Sequence, residues 1–165
     1  MSTLTTNATI TKEQILEDHK NGNAFVKKFI EKTWPQLFEP KNDYKKITSF
    51  KDACKVLKLD PIKCLPKAPA ASKEFASANE AHFKLMVIAK AIRGNWKPNW
   101  KDGNEKKYYC WFNLSVPSGF GFSSTHYDYT RTYAHVGSRL CFPTSEMAEH
   151  FGKNFTEIHK AAMTI

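Results

Sequence analysis

An α+β fold, helical first and with an antiparallel β-meander and a packed closing helix behind it, is predicted by three features of this 165-residue chain. Apolar residues recur at helical spacing before Gly94 and again after Pro143, and aromatic residues gather between Tyr108 and Phe142 in runs bounded by turn signals. Strands and helices do not alternate along the chain, as a parallel sheet with crossover helices would require. The length suits one ordinary domain that needs no staple, since a domain of about 150 residues hides roughly two-thirds of its unfolded surface. We read residues 1–10 as a loose, Thr-rich tail and 11–165 as a single α+β domain, with a helical part over 11–94 and a sheet plus closing helix over 95–165.

Each element has its own signal. Thr11-Lys12-Glu13-Gln14 reads as a capping box opening a helix that Asn21-Gly22-Asn23 breaks. A second helix carries Phe25, Val26, Phe29 and Ile30 as one buried face and stops at Trp34-Pro35. Ser49-Phe50-Lys51-Asp52 caps a short helix with Phe50, Ala53, Cys54 and Leu57 inward, ending before Asp60-Pro61. The segment from Pro61 to Ser72 holds Pro61, Pro66 and Pro69 and reads as a loop. A long helix then runs from Ser72 toward Arg93, with Phe75, Ala78, Ala81, Leu85, Ile88 and Ile92 on its apolar stripe and Gly94 as its stop. Asp102-Gly103-Asn104 and Pro117-Ser118-Gly119 are turns around the strand Tyr108–Phe112, and alternation from Phe120 to Phe142 extends the sheet, with a break near Val136-Gly137-Ser138. After Pro143, Thr144 or Ser145 caps an amphipathic helix bearing Met147, Phe151, Phe155 and Ile158.

Composition narrows the function classes. No stretch approaches the ~18 apolar residues of a membrane span, and the first residues have neither a basic nor an apolar targeting region, so a soluble, cytoplasmic protein is expected. Cys54, Cys64, Cys110 and Cys141 lack the short spacings of a zinc site, so free buried thiols and no metal or cofactor are expected. The net charge is +9, and residues 1–100 carry +8 of it, 17 of their 18 basic residues being Lys. Such a field draws polyanions, nucleic acid above all, although Lys-rich helix faces are also simply solvated. Lys27, Lys28, Lys45, Lys46, Lys84, Lys90 and Arg93 are the candidate phosphate contacts.

Along an extended strand over Thr125–His135, Tyr127, Tyr129, Arg131, Tyr133 and His135 would share one face. As a binding face, the phenols stack on bases while Arg131 meets phosphate; as a core face, they pack under a helix. Gly119-Phe120-Gly121-Phe122 resembles the core of the octapeptide of RNA-recognition-motif domains over four residues only. Ser118, Ser123 and Thr125 depart from that pattern, and no helix start follows to cradle a phosphate. His126 with Asp128, and Cys110, Cys141 or Ser145 as nucleophiles, form no local catalytic signature, so a non-enzymatic protein is expected.

Gly94–Trp100, Tyr108–Phe112, Ser118–Ser123, Val136–Phe142 and Glu146–Phe155 together make the stretch 94–158 resemble a group of short, uncharacterised proteins of bacteriophages and mobile elements of Bacteroidetes-type bacteria. The resemblance implies a phage context, in the host cytoplasm or on the virion, and assigns no residue a role. Two readings follow: a non-enzymatic accessory protein that binds nucleic acid through a basic helical surface and an aromatic sheet face, or a protein–protein module that docks a host or virion protein through its aromatic-rich C-terminal part. Twelve of the 22 aromatic residues fall between Trp96 and Phe142, a surplus either reading can use.

Overall fold

Short polar side chains close most of the helix starts in the computed structural model, which describes residues 10–34, 43–67, 73–116, 119–132, 134 and 136–164. The residues 1–9 of the expected tail, Pro35, Pro69, Ser72, Pro117, Ser118, Tyr133 and His135 lie outside the described residues. The chain divides into two units, Met1–Lys41 and Asn42–Ile165.

In the first unit, helices α1 (Lys12–Asn21) and α2 (Ala24–Thr33) form a hairpin. Thr11 Oγ1 accepts from the Gln14 amide at 3.2 Å, but the Gln14 side chain donates forward to Asp18 at 3.2 Å, so half of the expected capping box forms. Asn23 caps α2 by accepting from the Val26 amide at 3.0 Å. Gly22 sits so close to α2 that a Cβ there would fall 2.6 Å from Val26 Cγ1 and 2.8 Å from the Asp18 carbonyl oxygen. The seam buries Ile15 and Ile30, and His19 meets Glu31 at 2.8 Å. Phe25 and Phe29 are 79% and 56% exposed, which corrects the expected four-residue buried face. Residues spaced i, i+4 make one stripe, and within a two-helix hairpin the narrow seam holds the Val26/Ile30 stripe, leaving Phe25/Phe29 outside it.

The second unit opens on a 3-10 turn, Tyr44–Lys46, and α3, Phe50–Val56. Ser49 and Asp52 cap α3 reciprocally: Ser49 Oγ accepts from the Asp52 amide at 3.1 Å and donates to the Asp52 carboxylate at 2.6 Å. That hydroxyl, more than any other contact, holds the Asp52 carboxyl below its usual range. The long helix α4, Lys73–Arg93, buries Ala81, Leu85, Ile88 and Ile92 as its stripe predicts, whereas Phe75 near its start is 67% exposed. Gly94 ends it at φ +60°, the left-handed stop that glycine adopts without strain.

Strands β1 (Lys107–Val116) and β2 (Gly119–Asp128) pair antiparallel, and helices α5 (Ser145–Asn154) and α6 (Thr156–Met163) follow. The fold is therefore α+β, with helices before and after the strands. Two expectations are corrected. The sheet has two strands among the described residues, because the chain bends at Tyr129-Thr130 and returns to β1 only through a single bridge between Tyr108 and Phe142. The closing helix is broken in two at Phe155, whose φ of −121° and ψ of 25° leave the helical range. On α6, His159 is buried against Phe112 and Phe151.

The core joins α3 and α4 to α5: Ile47, Ala53, Cys54, Leu85, Ile88, Ile92, Phe142, Ala148 and Phe151 are buried in one cluster. His150 ties the 3-10 turn to α5 through the Ile47 carbonyl at 2.8 Å and an edge-on contact with Tyr44. Ahead of β1, the loop 99–105 wraps one cation. Lys107 is 1% exposed, and its Nζ donates to the carbonyls of Asn99 (2.7 Å), Asp102 (3.2 Å) and Glu105 (2.8 Å). The Glu105 carboxylate, 3.1 Å away, balances the charge, and the Trp100 ring lies 5.5 Å from it. Among the described residues no helix is long and apolar enough to cross a membrane.

Candidate nucleic-acid interface

A two-stranded sheet has two faces, and here they differ. Tyr108, Cys110 and Phe112 of β1 share a face with Phe120, Phe122, Thr125 and Tyr127 of β2. Alternation alone would not put Phe122 and Thr125 together; a register shift between Trp111 and Phe112 does, by leaving Ser123 as an extra residue on β2. Helices α5 and α6 cover the middle of this face. Cys110 Sγ donates to the Ala148 carbonyl at 3.0 Å, Phe122 packs on Gly152, Thr125 bonds Ser145 at 2.7 Å, and Phe112 meets His159 at 4.4 Å. The Gly-Phe-Gly-Phe string thus points its rings toward Phe112 and the helices, not toward solvent.

The end of the face beyond the helices stays open, and it gathers aromatic rings with cations. Tyr127 is 46% exposed; its ring lies 5.4 Å from Tyr108 and 5.6 Å, edge-on, from Tyr129. The Lys106 ammonium sits 4.4 Å over the Tyr127 ring. Asp128 steers the neighbouring Arg131, an exposed side chain, at 3.6 Å. On the opposite face Trp111 and His126 meet at 5.0 Å, and both are exposed.

Of the residues expected to bind phosphate, several are used internally. Lys90 Nζ donates to the Gly94 carbonyl at 2.6 Å and so closes the end of α4. Arg93 Nη1 donates to the carbonyls of Ser138 (2.5 Å) and Arg139 (2.9 Å), pinning the loop that follows the sheet. Lys84 pairs with Glu80 at 2.6 Å and lies 5.7 Å from the Phe50 ring. Lys46 is exposed but pairs with Asp43 at 3.1 Å, and Lys45 is exposed beside it. Lys27 is half-buried and Lys28 exposed on α2, in the first unit. Tyr127 and Tyr129 meet edge-on around a bend rather than along a strand, Arg131 pairs with Asp128, and Tyr133 lies outside the described residues.

Lys106 and Tyr108 belong to the cluster and were missed. The pairing of Tyr108 with Tyr127 depends on register, whereas Lys106 carried a readable signal, a basic residue just before an aromatic strand. The residues once weighed as catalytic are engaged elsewhere. His126 bonds Ser124 at 3.1 Å, and Asp128 accepts from the Tyr129 amide at 2.7 Å. Burial pushes the thiols of Cys110 and Cys141 up to about 12 and about 11, so both stay protonated at neutral pH. Comparison with protein-family models, with curated proteins and with solved structures finds no match for this chain.

Proposed function

We propose that the protein is a non-enzymatic, phage-type accessory protein that acts in the host cytoplasm and binds single-stranded nucleic acid at the open end of its sheet. The observation that carries this reading is the Lys106 ammonium resting on the half-exposed Tyr127 ring, with Tyr129 edge-on to it and the exposed Arg131 following in the chain. A base can stack on that ring face in place of the ammonium, and a displaced Lys106 is left beside the phosphate that accompanies the base. Lys45 adds charge to the field. Lys84, Lys90 and Arg93 have internal partners and are left out of the phosphate-binding set.

The test is retention of a fluorescent oligonucleotide at about 50 and 200 mM salt, over which phosphate-driven binding weakens steeply. Tyr127→Ala weakens binding by about 1–3 kcal/mol and leaves the salt slope nearly unchanged. Lys106→Ala with Arg131→Ala flattens that slope instead. No salt-dependent retention of any single- or double-stranded oligonucleotide at micromolar protein refutes the proposal. A second reading, docking of a host or virion protein, is favoured by Trp111 and Leu114, which are 42% and 58% exposed on β1. In that case Trp111→Ala abolishes capture of the partner and does not touch oligonucleotide retention.

A further inference from the structure

The turn of the chain at Phe155 leaves one polar atom stranded at the wall of a cavity. His159 is 5% exposed, and its Nε2 is buried with no hydrogen-bond partner among the described residues. Its ring is held against Phe112 at 4.4 Å and edge-on to Phe151 at 4.7 Å. The same ring lines a cavity of about 290 Å³, whose other walls include Leu85, Cys110, Phe112, Leu140 and Phe151. His82 and Met163 line it too and are both exposed, so they stand at its open side. An imidazole this dry is neutral, since burial pushes its pKa down to about 3. Native interiors satisfy nearly all of their buried polar atoms, and a stranded ring nitrogen facing a cavity asks what satisfies it.

We propose that this cavity is a binding site for a small neutral hydroxyarene, a phenol of one or two rings, whose hydroxyl bonds His159 Nε2. Three properties of the site select that chemistry. No acidic or basic side chain other than the two histidines lines the cavity among the described residues, so an ionic ligand would enter without a counter-charge. A hydroxyl both donates and accepts, so it satisfies Nε2 in either tautomer of the neutral ring, whereas a ligand with only a donor or only an acceptor fits one. Cys110 cannot substitute, because its thiol already donates to the Ala148 carbonyl. The apolar remainder follows from the walls: Phe112 and Phe151 offer ring surface, and the volume is roughly ten waters at ~30 Å³ each, the small end of the range for ligand pockets.

The experiment compares p-cresol with toluene, which has nearly the same shape without the hydroxyl, on the full chain by calorimetry. Nitrogen NMR of the histidine rings is recorded in parallel. The site predicts that p-cresol binds at least tenfold more tightly than toluene and shifts the His159 Nε2 resonance. His159→Phe brings the ratio to near one, and Ala162→Leu, which fills the cavity from its α6 wall and leaves His159 in place, removes binding of both. Melting temperatures of the two variants establish that each is folded. Equal affinities for the two probes, no binding of p-cresol at 5 mM, or binding that leaves the Nε2 resonance unmoved because water alone occupies the site, each overturns the proposal.

Discussion

Adding one methyl group at Gly152 sets helix propensity against packing. In an open helix Ala is favoured over Gly by about 1 kcal/mol, because Gly loses more backbone freedom on folding. Gly152 lies inside α5 on the side that meets the hairpin, where a Cβ would overlap the Phe122 ring and come 3.2 Å from Cys110 Sγ. To make room the Phe122 ring would have to give up its edge-on contact with Phe112, 6.0 Å between centroids. Overpacking of this kind costs about 1–3 kcal/mol. The difference is a net loss of about 1 kcal/mol, with the sign set by the contact. Urea midpoints followed by tryptophan fluorescence measure it for Gly152→Ala in the native background and again in Phe122→Ala. Removing the ring removes the overlap, so the same methyl then stabilises by up to about 1 kcal/mol. If Gly152→Ala raises the midpoint equally in both backgrounds, the hairpin does not pack on α5 at this point.

Two further outcomes follow from the core. Phe151→Ala costs about 3–5 kcal/mol by the same measurement, because the ring is 1% exposed and packs against Phe142 and Phe155; a midpoint that barely moves places α5 elsewhere. His159 makes stability depend on acidity: its folded pKa of about 3 lies below the ordinary value of 6.5, so the unfolded chain binds the proton more readily. Its contribution is present above about pH 6.5 and is lost as pH falls toward 3, at up to on the order of 1 kcal/mol per pH unit. His82 of α4 and Cys110 of β1 share its cavity, and neither is an acid that could hold the imidazolium. Melting temperatures between pH 7.5 and 4.5 fall more steeply for the native chain than for His159→Phe; parallel curves refute this.

What the sequence disclosed depended on range. Helix starts were legible because a cap is a contact across three residues: Thr11, Ser49 and Thr144 each accept from the amide three positions on, as does Asn23, which reads in the sequence only as a break. The stripe of α4 was legible for the same reason. The sheet was harder, since alternation cannot reveal the extra residue Ser123, and a single insertion reverses the faces of everything before it on β2. The apparent strand through His135 failed at Tyr129, where Asp128 accepts from the following amide and the chain bends. The partners of the basic residues were harder to read: Arg93 looks like any cation at the end of a helix, and only the folded chain brings it to the carbonyl of Ser138. His159 did carry a signal, since it follows Phe151 and Phe155 at i+8 and i+4 on the stripe of the closing helix.

Lys107 does for the hairpin what a bound ion does for a coordination loop, with the difference that this cation is tethered and cannot be chelated away. Because it is also the first residue of β1, its ammonium fixes where the strand leaves the loop. A two-stranded ribbon resists sliding poorly, and a slip of one position sends every side chain to the opposite face. The cage fixes the β1 side of that pairing, because freeing Lys107 from the loop would take a full charge out of three carbonyls and away from Glu105. The strand residue that faces Tyr127, Tyr108, is therefore anchored by a single amine on its neighbour.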